Sequence, residues 1–308
     1  MKNNSENGAP LITFCLFTYN QEVFVRDAVL GALAQTYSPL EIIVSDDCST
    51  DRTFDILREV LAGYQGPHGV KLLRNERNMG LVGHVNKMFS LAEGELVVLA
   101  AGDDISFPER TVSLVSAWLE DRTVDAVCSA YIKMTEEGKE IGVGSFKTFN
   151  PAEQWLATKR TFWFGCSAAY TKRLFTTFGP IAYNTTEDVV YYRRALLLGG
   201  IRYIAQPLVK YRIGCGISTQ KLDQRLKVLQ RNAWRTSLGV QMLSDLTKVP
   251  QTPFLIGVGA WWCRNLEVHL LFRKLLEEKG WGRLVTYLSF FRRSPGKALL
   301  KMGWLFRF

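Results

Sequence analysis

Short apolar runs alternate with amphipathic stretches through the first half of the chain. The runs at 11–17, 40–44 and 96–100 are almost uninterrupted aliphatic and aromatic residues. Strand-length runs of that kind belong to strands covered on both faces, as in a parallel sheet. Between them, apolar positions recur at helical spacing over 22–34, 53–64, 83–92 and 108–119, with Ser49 and Asp51 placed to cap the second of these. A shorter strand is predicted at 70–74. Another opens at 125–134 and continues as a hairpin through the turn Glu136-Glu137-Gly138-Lys139. The series predicts an α/β fold, a doubly wound and mostly parallel sheet flanked by helices, with right-handed crossovers.

Beyond about residue 135 the alternation loosens. The pattern predicts a short helix at 151–158, a strand at 165–170 and a helix at 187–198. A strand or strand pair follows at 201–205 and 208–212. Leu222, Leu226, Leu229 and Ala233 then recur at helical spacing with Lys and Arg between them. After Pro250 and Pro253, apolar and aromatic residues interleave with basic ones as far as Trp304-Leu305-Phe306-Arg307-Phe308. Two parts are expected: a domain at 1–218 and a C-terminal amphipathic helical extension at 219–308.

Charge deepens this division. The net +9 is uneven, because residues 219–308 hold 16 Lys and Arg against 5 Asp and Glu, while 1–218 is close to neutral. A nucleic-acid enzyme would line its own cleft with basic residues, so nucleic acid is not the expected partner. The basic, aromatic extension instead fits helices lying on an anionic membrane surface. Packing on the first domain or on a second subunit is the other reading of it. The run at 254–263 is too short to span a bilayer. Residues 1–9 are polar, so no signal peptide is expected, and six cysteines without a CxxC pair suit reduced thiols. The expected location is cytoplasmic, peripheral on the inner face of the cell membrane. Three histidines and scattered cysteines offer no zinc site, and no GxSxG, P-loop or GxGxxG string is present.

Two acidic pairs carry the candidate chemistry. Asp46 and Asp47 follow the run at 40–44, and Asp103 and Asp104 follow that at 96–100. In an open α/β sheet, ligands bind beyond the carboxyl ends of the strands. Both pairs should therefore meet at one edge, where four close carboxylates call for a cation. Such a layout suits a hard metal and a phosphorylated ligand.

In order along the chain stand Thr18-Tyr19-Asn20, Gln35-Thr36-Tyr37, Ser45-Asp46-Asp47-Cys48-Ser49-Thr50-Asp51, Asn78-Met79-Gly80, Ala101-Gly102-Asp103-Asp104 with Pro108, and Glu187-Asp188. This order and spacing resembles the family-2 glycosyltransferases over roughly residues 11–218. The resemblance implies a GT-A fold, a nucleotide-diphosphate sugar donor, most often of UDP, and inversion at the anomeric carbon. It implies Mg²⁺ or Mn²⁺ as cofactor, with Asp103 at the last Asp of the family's Asp-x-Asp motif and so the metal ligand. Asp47 matches the carboxylate that accepts a hydrogen bond from the nucleotide base, and Asp188 matches the general base. Asp46, Asp104, Thr18, Tyr19, Asn20, Glu22 and Gly80 fall on the donor side. Arg212 is placed to meet phosphate or a carboxylate. Glu187 is an acceptor-side neighbour, and Trp163 offers an aromatic face for a sugar. His84, in the third helix, reads either as a donor-pocket residue or as a structural one.

The chain departs from the family pattern twice. Ala101 stands where the first Asp of the motif usually is, and Gly214 where a His usually follows the Tyr-Arg pair. The expected acceptor is a glycan or a lipid-linked sugar, as in cell-envelope polysaccharide synthesis. Two alternatives stand beside this reading: a degenerate protein that binds glycan or a partner, and a nucleotidyltransferase. The latter would place a Gly-rich basic loop after the first strand, and Thr18-Tyr19-Asn20-Gln21-Glu22 is not one.

Overall fold

The structure, a computed structural model, describes residues 8–146, 165–183, 185–215 and 224–250, together with helical positions 263, 266, 267, 270, 271, 274, 286, 289, 292 and 293. The chain divides into two compact units: Met1–Ile181 with Glu187–Gln220, and Ala182–Thr186 with Lys221–Phe308.

The first unit is built on one sheet. Its strands are β1 (Ile12–Thr18), β2 (Leu40–Asp46), β3 (Gly69–Arg74), β4 (Leu96–Ala101), β5 (Ile105–Ser106), β6 (Ala126–Met134), β7 (Glu140–Gly144), β8 (Ala169–Thr171) and β9 (Ile201–Arg212). Its helices are α1 (Val25–Leu33), α2 (Thr53–Ala62), α3 (Gly80–Leu91), α4 (Arg110–Glu120), α5 (Lys172–Phe178) and α6 (Glu187–Leu198). The sheet order is β3-β2-β1-β4-β8-β6-β9-β5, with β7 paired to β6. β1 to β4 are mutually parallel, and β6 and β9 run the same way; β5, β7 and β8 oppose them.

The strands predicted to be covered on both faces are so. Every residue of β2 is buried, as are all but one in each of β1 and β4. Ile12, Phe14 and Leu16 of β1 pack with Val25, Val29 and Ala32 of α1, Leu57 of α2, and Leu114 and Trp118 of α4. On other helices, Phe89 of α3 stacks on Phe175 of α5 (5.9 Å between centroids) and on Tyr191 of α6 (4.7 Å). Full burial of such a side chain contributes about 1.5–3 kcal/mol, so these two layers dominate the stability of the unit.

Register places the strand ends together. Thr18 pairs with Asp46, and Phe17 pairs with both Ser45 and Ala101. The ladder continues past the strands through Asp47 N–H to Thr18 O (2.9 Å) and Gly102 N–H to Phe17 O (3.1 Å). The loops after β1, β2 and β4 therefore leave the sheet at one level.

Several local expectations change. The segments 201–205 and 208–212 form one strand, with a bulge where Ser129 faces Ile204 and Ala130 faces Pro207; proline lacks the N–H that regular pairing needs. The predicted strand at 165–170 is a turn of 3₁₀ helix, Gly165–Ser167, followed by β8. Ser49 does not cap α2, because its hydroxyl serves Asp46 and the Asn20 amide; Asp51 Oδ1 accepts the Thr53 N–H instead (2.9 Å). The predicted helix at 151–158 lies outside the described residues.

In the second unit, α7 (Gln224–Leu246) continues the spacing read from Leu222 to Ala233. Gln241, buried on α7, accepts the Ala182 N–H (2.8 Å) and donates to Asp245 (3.0 Å). Among the described residues, no helix is long and apolar enough to cross a membrane.

Candidate active site

A cavity of about 800 Å³ opens at the carboxyl edge of β1, β2 and β4, within the first unit. Thr18, Tyr19, Asn20 and Asp47 line one side, with Asn78 and Gly80 beside them. Asp103 and Asp104 line the middle, and Glu187 and Asp188 the far side.

The near wall is a clasp between two loops. Asn20 takes a left-handed backbone (φ 51°), which Asn tolerates, and so does Cys48 (φ 63°). Asn20 N–H donates to Ser49 Oγ (2.9 Å), and Asn20 Oδ1 accepts the Thr50 N–H (2.8 Å). Gln21 N–H donates to Thr53 Oγ1 (2.7 Å) and Glu22 N–H to Asp51 (3.1 Å), while Glu22 Oε2 accepts the Arg52 N–H (2.9 Å). Below this clasp, Asp47 Oδ1 accepts from Asn75 Nδ2 (2.7 Å) and from the Met79 N–H (2.9 Å). Oδ2 is the one carboxylate oxygen of Asp47 without a protein hydrogen bond among the described residues. His84, buried in the same wall, shares a 2.7 Å hydrogen bond with Ser45 Oγ. Burial pushes its pKa down, so the ring is neutral at physiological pH despite the nearby Asp47 and Asp46 charges.

In the middle, burial raises the Asp103 carboxyl above its ordinary range, opposed by the Arg212 charge and a hydrogen bond from Gln21. Asp104 is pushed well up by burial and by Asp103, while its Oδ1 accepts the Arg212 N–H (2.9 Å). The far carboxylates share this character. Asp188 is raised by burial although its Oδ1 accepts the Val189 N–H (2.7 Å). Glu187 is pushed up to about 8, by burial and then by Asp188. Gly165 lies against Asp188: a Cβ there would sit 2.8 Å from the Asp188 Cβ and 2.9 Å from Oδ2.

Four cavity carboxyls whose ionisation is opposed by burial define a place suited to a cationic group. Asp103, with Asp104 beside it, suits a hard divalent ion that takes one or two carboxylates and completes its shell with diphosphate oxygens. The residues present therefore fit Mg²⁺ or Mn²⁺. The expected four-carboxylate cluster does not form, however. Among the described residues no three His, Cys, Asp or Glu side chains come together as a metal centre. Asp46 is withdrawn from it. It is fully buried beneath the clasp, accepting from the Ser49 N–H (2.9 Å), the Ser49 hydroxyl and Thr18, with Arg74 at 3.5 Å.

Two further residues expected beside the nucleotide also lie off the cavity wall. Glu22 is tied to Arg52 in the clasp. Arg212 is buried, giving its side-chain donors to the carbonyls of Asp103 (3.1 Å), Thr135 (3.3 Å) and Glu136 (2.5 Å), with its guanidinium 4.5 Å from the Phe24 ring. Its backbone N–H goes to the Asp104 carboxylate, its guanidinium forms no ion pair among the described residues, and it does not line the cavity. Trp163 lies outside the described residues. The sequence reading passed over Gln21, Tyr131 and Tyr211, which all line the cavity. Tyr131 and Tyr211 meet edge to face (5.4 Å, 78°) on neighbouring strands. Only the pairing of β6 with β9 brings them together, and no local motif announces it.

An open α/β sheet with carboxylates at its strand ends, arranged around a cavity, defines a GT-A-type fold. Solved structures share it. S. aureus TarS 1-349 in complex with UDP-GlcNAc superposes with a TM-score of 0.61 at 18% identity, covering 93% of this chain and 82% of that one. The mannosyltransferase PcManGT from Pyrobaculum calidifontis, in complex with GDP-Man and Mn²⁺, gives 0.52 at 18% identity, covering 96% and 79%. The chain belongs to glycosyl transferase family 2, whose profile matches residues 13–179. It is 30% identical over 132 residues to a Bacillus subtilis protein named as the glycosyltransferase EpsE, covering 43% of this chain and 47% of that protein. It is 35% identical over 98 residues to TuaG of the same organism, which carries the name of a teichuronic acid biosynthesis glycosyltransferase, covering 32% and 38%. The chain thus spans half or less of the length of these two relatives. The family and the fold expected from the motifs are both borne out.

Proposed function

We propose that the protein transfers a sugar, with inversion, from a nucleotide-diphosphate donor to a hydroxyl of a glycan or lipid-linked acceptor in cell-envelope polysaccharide synthesis. One observation carries this reading: Asp47, Asp103 and Asp188 line a single cavity, on its near side, middle and far side. Asp47 Oδ2 accepts a hydrogen bond from the nucleotide base, its geometry fixed by the bonds to Oδ1. Thr18, Tyr19, Asn20 and Gly80 complete that wall. Asp103, with Asp104, would hold the divalent ion, which would supply neutralisation of the charge on the departing diphosphate. Asp188 takes the proton of the acceptor hydroxyl as its oxygen bonds to the anomeric carbon. The bond from that carbon to the diphosphate breaks, and the electron pair leaves with the nucleotide. Glu187, protonated at neutral pH, is a hydrogen-bond donor on the acceptor side.

The donor proposed is a UDP-sugar, supported by the UDP-GlcNAc held by TarS; the GDP-Man of PcManGT makes GDP the competing case. For the second unit we propose an anionic membrane surface on the cytoplasmic side as partner. A groove of about 830 Å³ supports this, lined among the described residues by Leu270, Leu271, Lys274, Ser289, Arg292 and Arg293 with Glu267 as the one acid.

The test is turnover of a panel of nucleotide sugars with Mn²⁺, by wild type and by Asp103→Asn and Asp188→Asn. Turnover lost in both variants, with Asp188→Asn still binding nucleotide, is the expected result. Wild-type turnover in both would overturn the assignments, and no turnover of any donor would favour a degenerate binding protein.

A further inference from the structure

Arg110, the first residue of α4, is fully buried, and no motif singled it out. Burying a guanidinium costs several kcal/mol unless its charge and donors are met. Among the described residues Arg110 forms no ion pair, and burial lowers its pKa to about 10 against the opposing influences of Cys166 and Asp104. What it has instead is a bridge. Nη2 donates both to Leu99 O (2.7 Å) and to Cys166 O (3.1 Å), while Nη1 donates to Ser106 Oγ (2.9 Å).

The two carbonyls belong to neighbouring segments of the cavity lining. Leu99 is in β4, whose end turns through Gly102 into Asp103. Cys166 is in the turn whose first residue, Gly165, lies against the Asp188 carboxylate. Leu99 N–H to Ala168 O (3.2 Å) crosses the same seam and extends the pairing of β4 with β8, which stops short of the Asp103 turn and Gly165. We propose that Arg110 is a positioning residue, setting the separation between the Asp103 turn and Asp188 while touching neither substrate. A lysine cannot replace it, since one ammonium on a flexible stem lacks the planar fork that meets three acceptors at once.

The proposal rests on the transfer chemistry assigned above to Asp103 and Asp188. Its test compares wild type with Arg110→Lys and Arg110→Ala in the full chain, measuring kcat, KM for the donor, nucleotide affinity and thermal unfolding. Misplacing reacting groups by about 1 Å lowers turnover about 100-fold, so kcat should fall to that extent while donor KM and nucleotide affinity stay within about threefold. Added guanidinium should restore part of kcat in Arg110→Ala and none in wild type. A core residue that only stabilises would lose affinity and turnover together, without rescue, and that result would overturn the proposal.

Gly165→Ala is the second arm if the Arg110 variants do not fold. It leaves Arg110 in place and presses first on Asp188, so kcat should fall with nucleotide affinity kept; unchanged kcat there would also overturn the proposal. A wild-type protein that turns over no donor would instead defeat the functional reading itself.

Discussion

Asp47 accepts the Met79 N–H through Oδ1 at 2.9 Å, which joins the end of β2 to the residue before α3. With Asn75 on the same oxygen, only Oδ2 remains for a ligand. Asp47→Asn should keep the fold and weaken nucleotide binding. Loss of a hydrogen bond to a charged group corresponds to about 1.5–3 kcal/mol, or roughly 10- to 100-fold in affinity. Calorimetric titration with UDP measures it, and an unchanged affinity would remove Asp47 from the nucleotide site.

Glu187 links the site to stability through pH. Its carboxyl is raised from 4.5 to about 8, so across that interval the folded chain holds a proton that the unfolded chain has released. Stability from this group is therefore complete below 4.5 and declines as pH rises toward 8. Glu187→Gln removes the titration. The variant should melt above wild type at pH 8 and match it near pH 4, in parallel thermal scans.

Gly102 has room for nothing larger. A Cβ there would fall 2.5 Å from Gln21 Oε1 and 2.7 Å from Thr18 Cγ2. Gln21 is the side chain that hydrogen-bonds Asp103. Gly102→Ala should lose about 1–3 kcal/mol of stability by overpacking. Turnover should need more Mn²⁺ for half-saturation, which a metal titration of the folded variant reads directly.

The basic groove predicts a charge-dependent membrane affinity. Arg292→Glu with Arg293→Glu, in the full chain, should reduce co-sedimentation with phosphatidylglycerol vesicles and leave donor hydrolysis in solution unchanged. Each basic residue near an anionic surface contributes about 1 kcal/mol, so replacing both should cost at least tenfold in vesicle affinity. Equal sedimentation of the variant and wild type would exclude the groove as the contact.

The parallel half of the fold was legible because its signal is local. Nearly uninterrupted apolar runs in β1, β2 and β4, with acidic pairs at the ends of β2 and β4, needed no long-range information. The division of labour within each pair was not legible. Asp46 and Asp47 are adjacent and chemically alike, yet strand alternation sends one beneath the clasp and the other to the cavity. The surroundings of Arg212 were not legible for a related reason: a Tyr-Arg string does not say that Thr135, Glu136 and Asp103 will present carbonyls to that side chain. Tyr131, Tyr211 and Arg110 depend on contacts across 80, 80 and 56 residues of sequence, from Tyr131 to Tyr211 and from Arg110 to Cys166. Periodicity cannot report such pairs.

The clasp between the loops after β1 and β2 makes the two sides of the cavity mechanically unequal. Asn20, Gln21 and Glu22 are each bonded to the Ser49–Thr53 segment, so the two loops are tied together. On the proposed reading this tied wall is the nucleotide half, shaped before any donor arrives. Adaptation to different sugars then falls to the opposite side, where Gly165, Tyr211 and Cys215 line the wall. Changes in sugar preference among variants of this protein should accumulate there, with the nucleotide preference left intact.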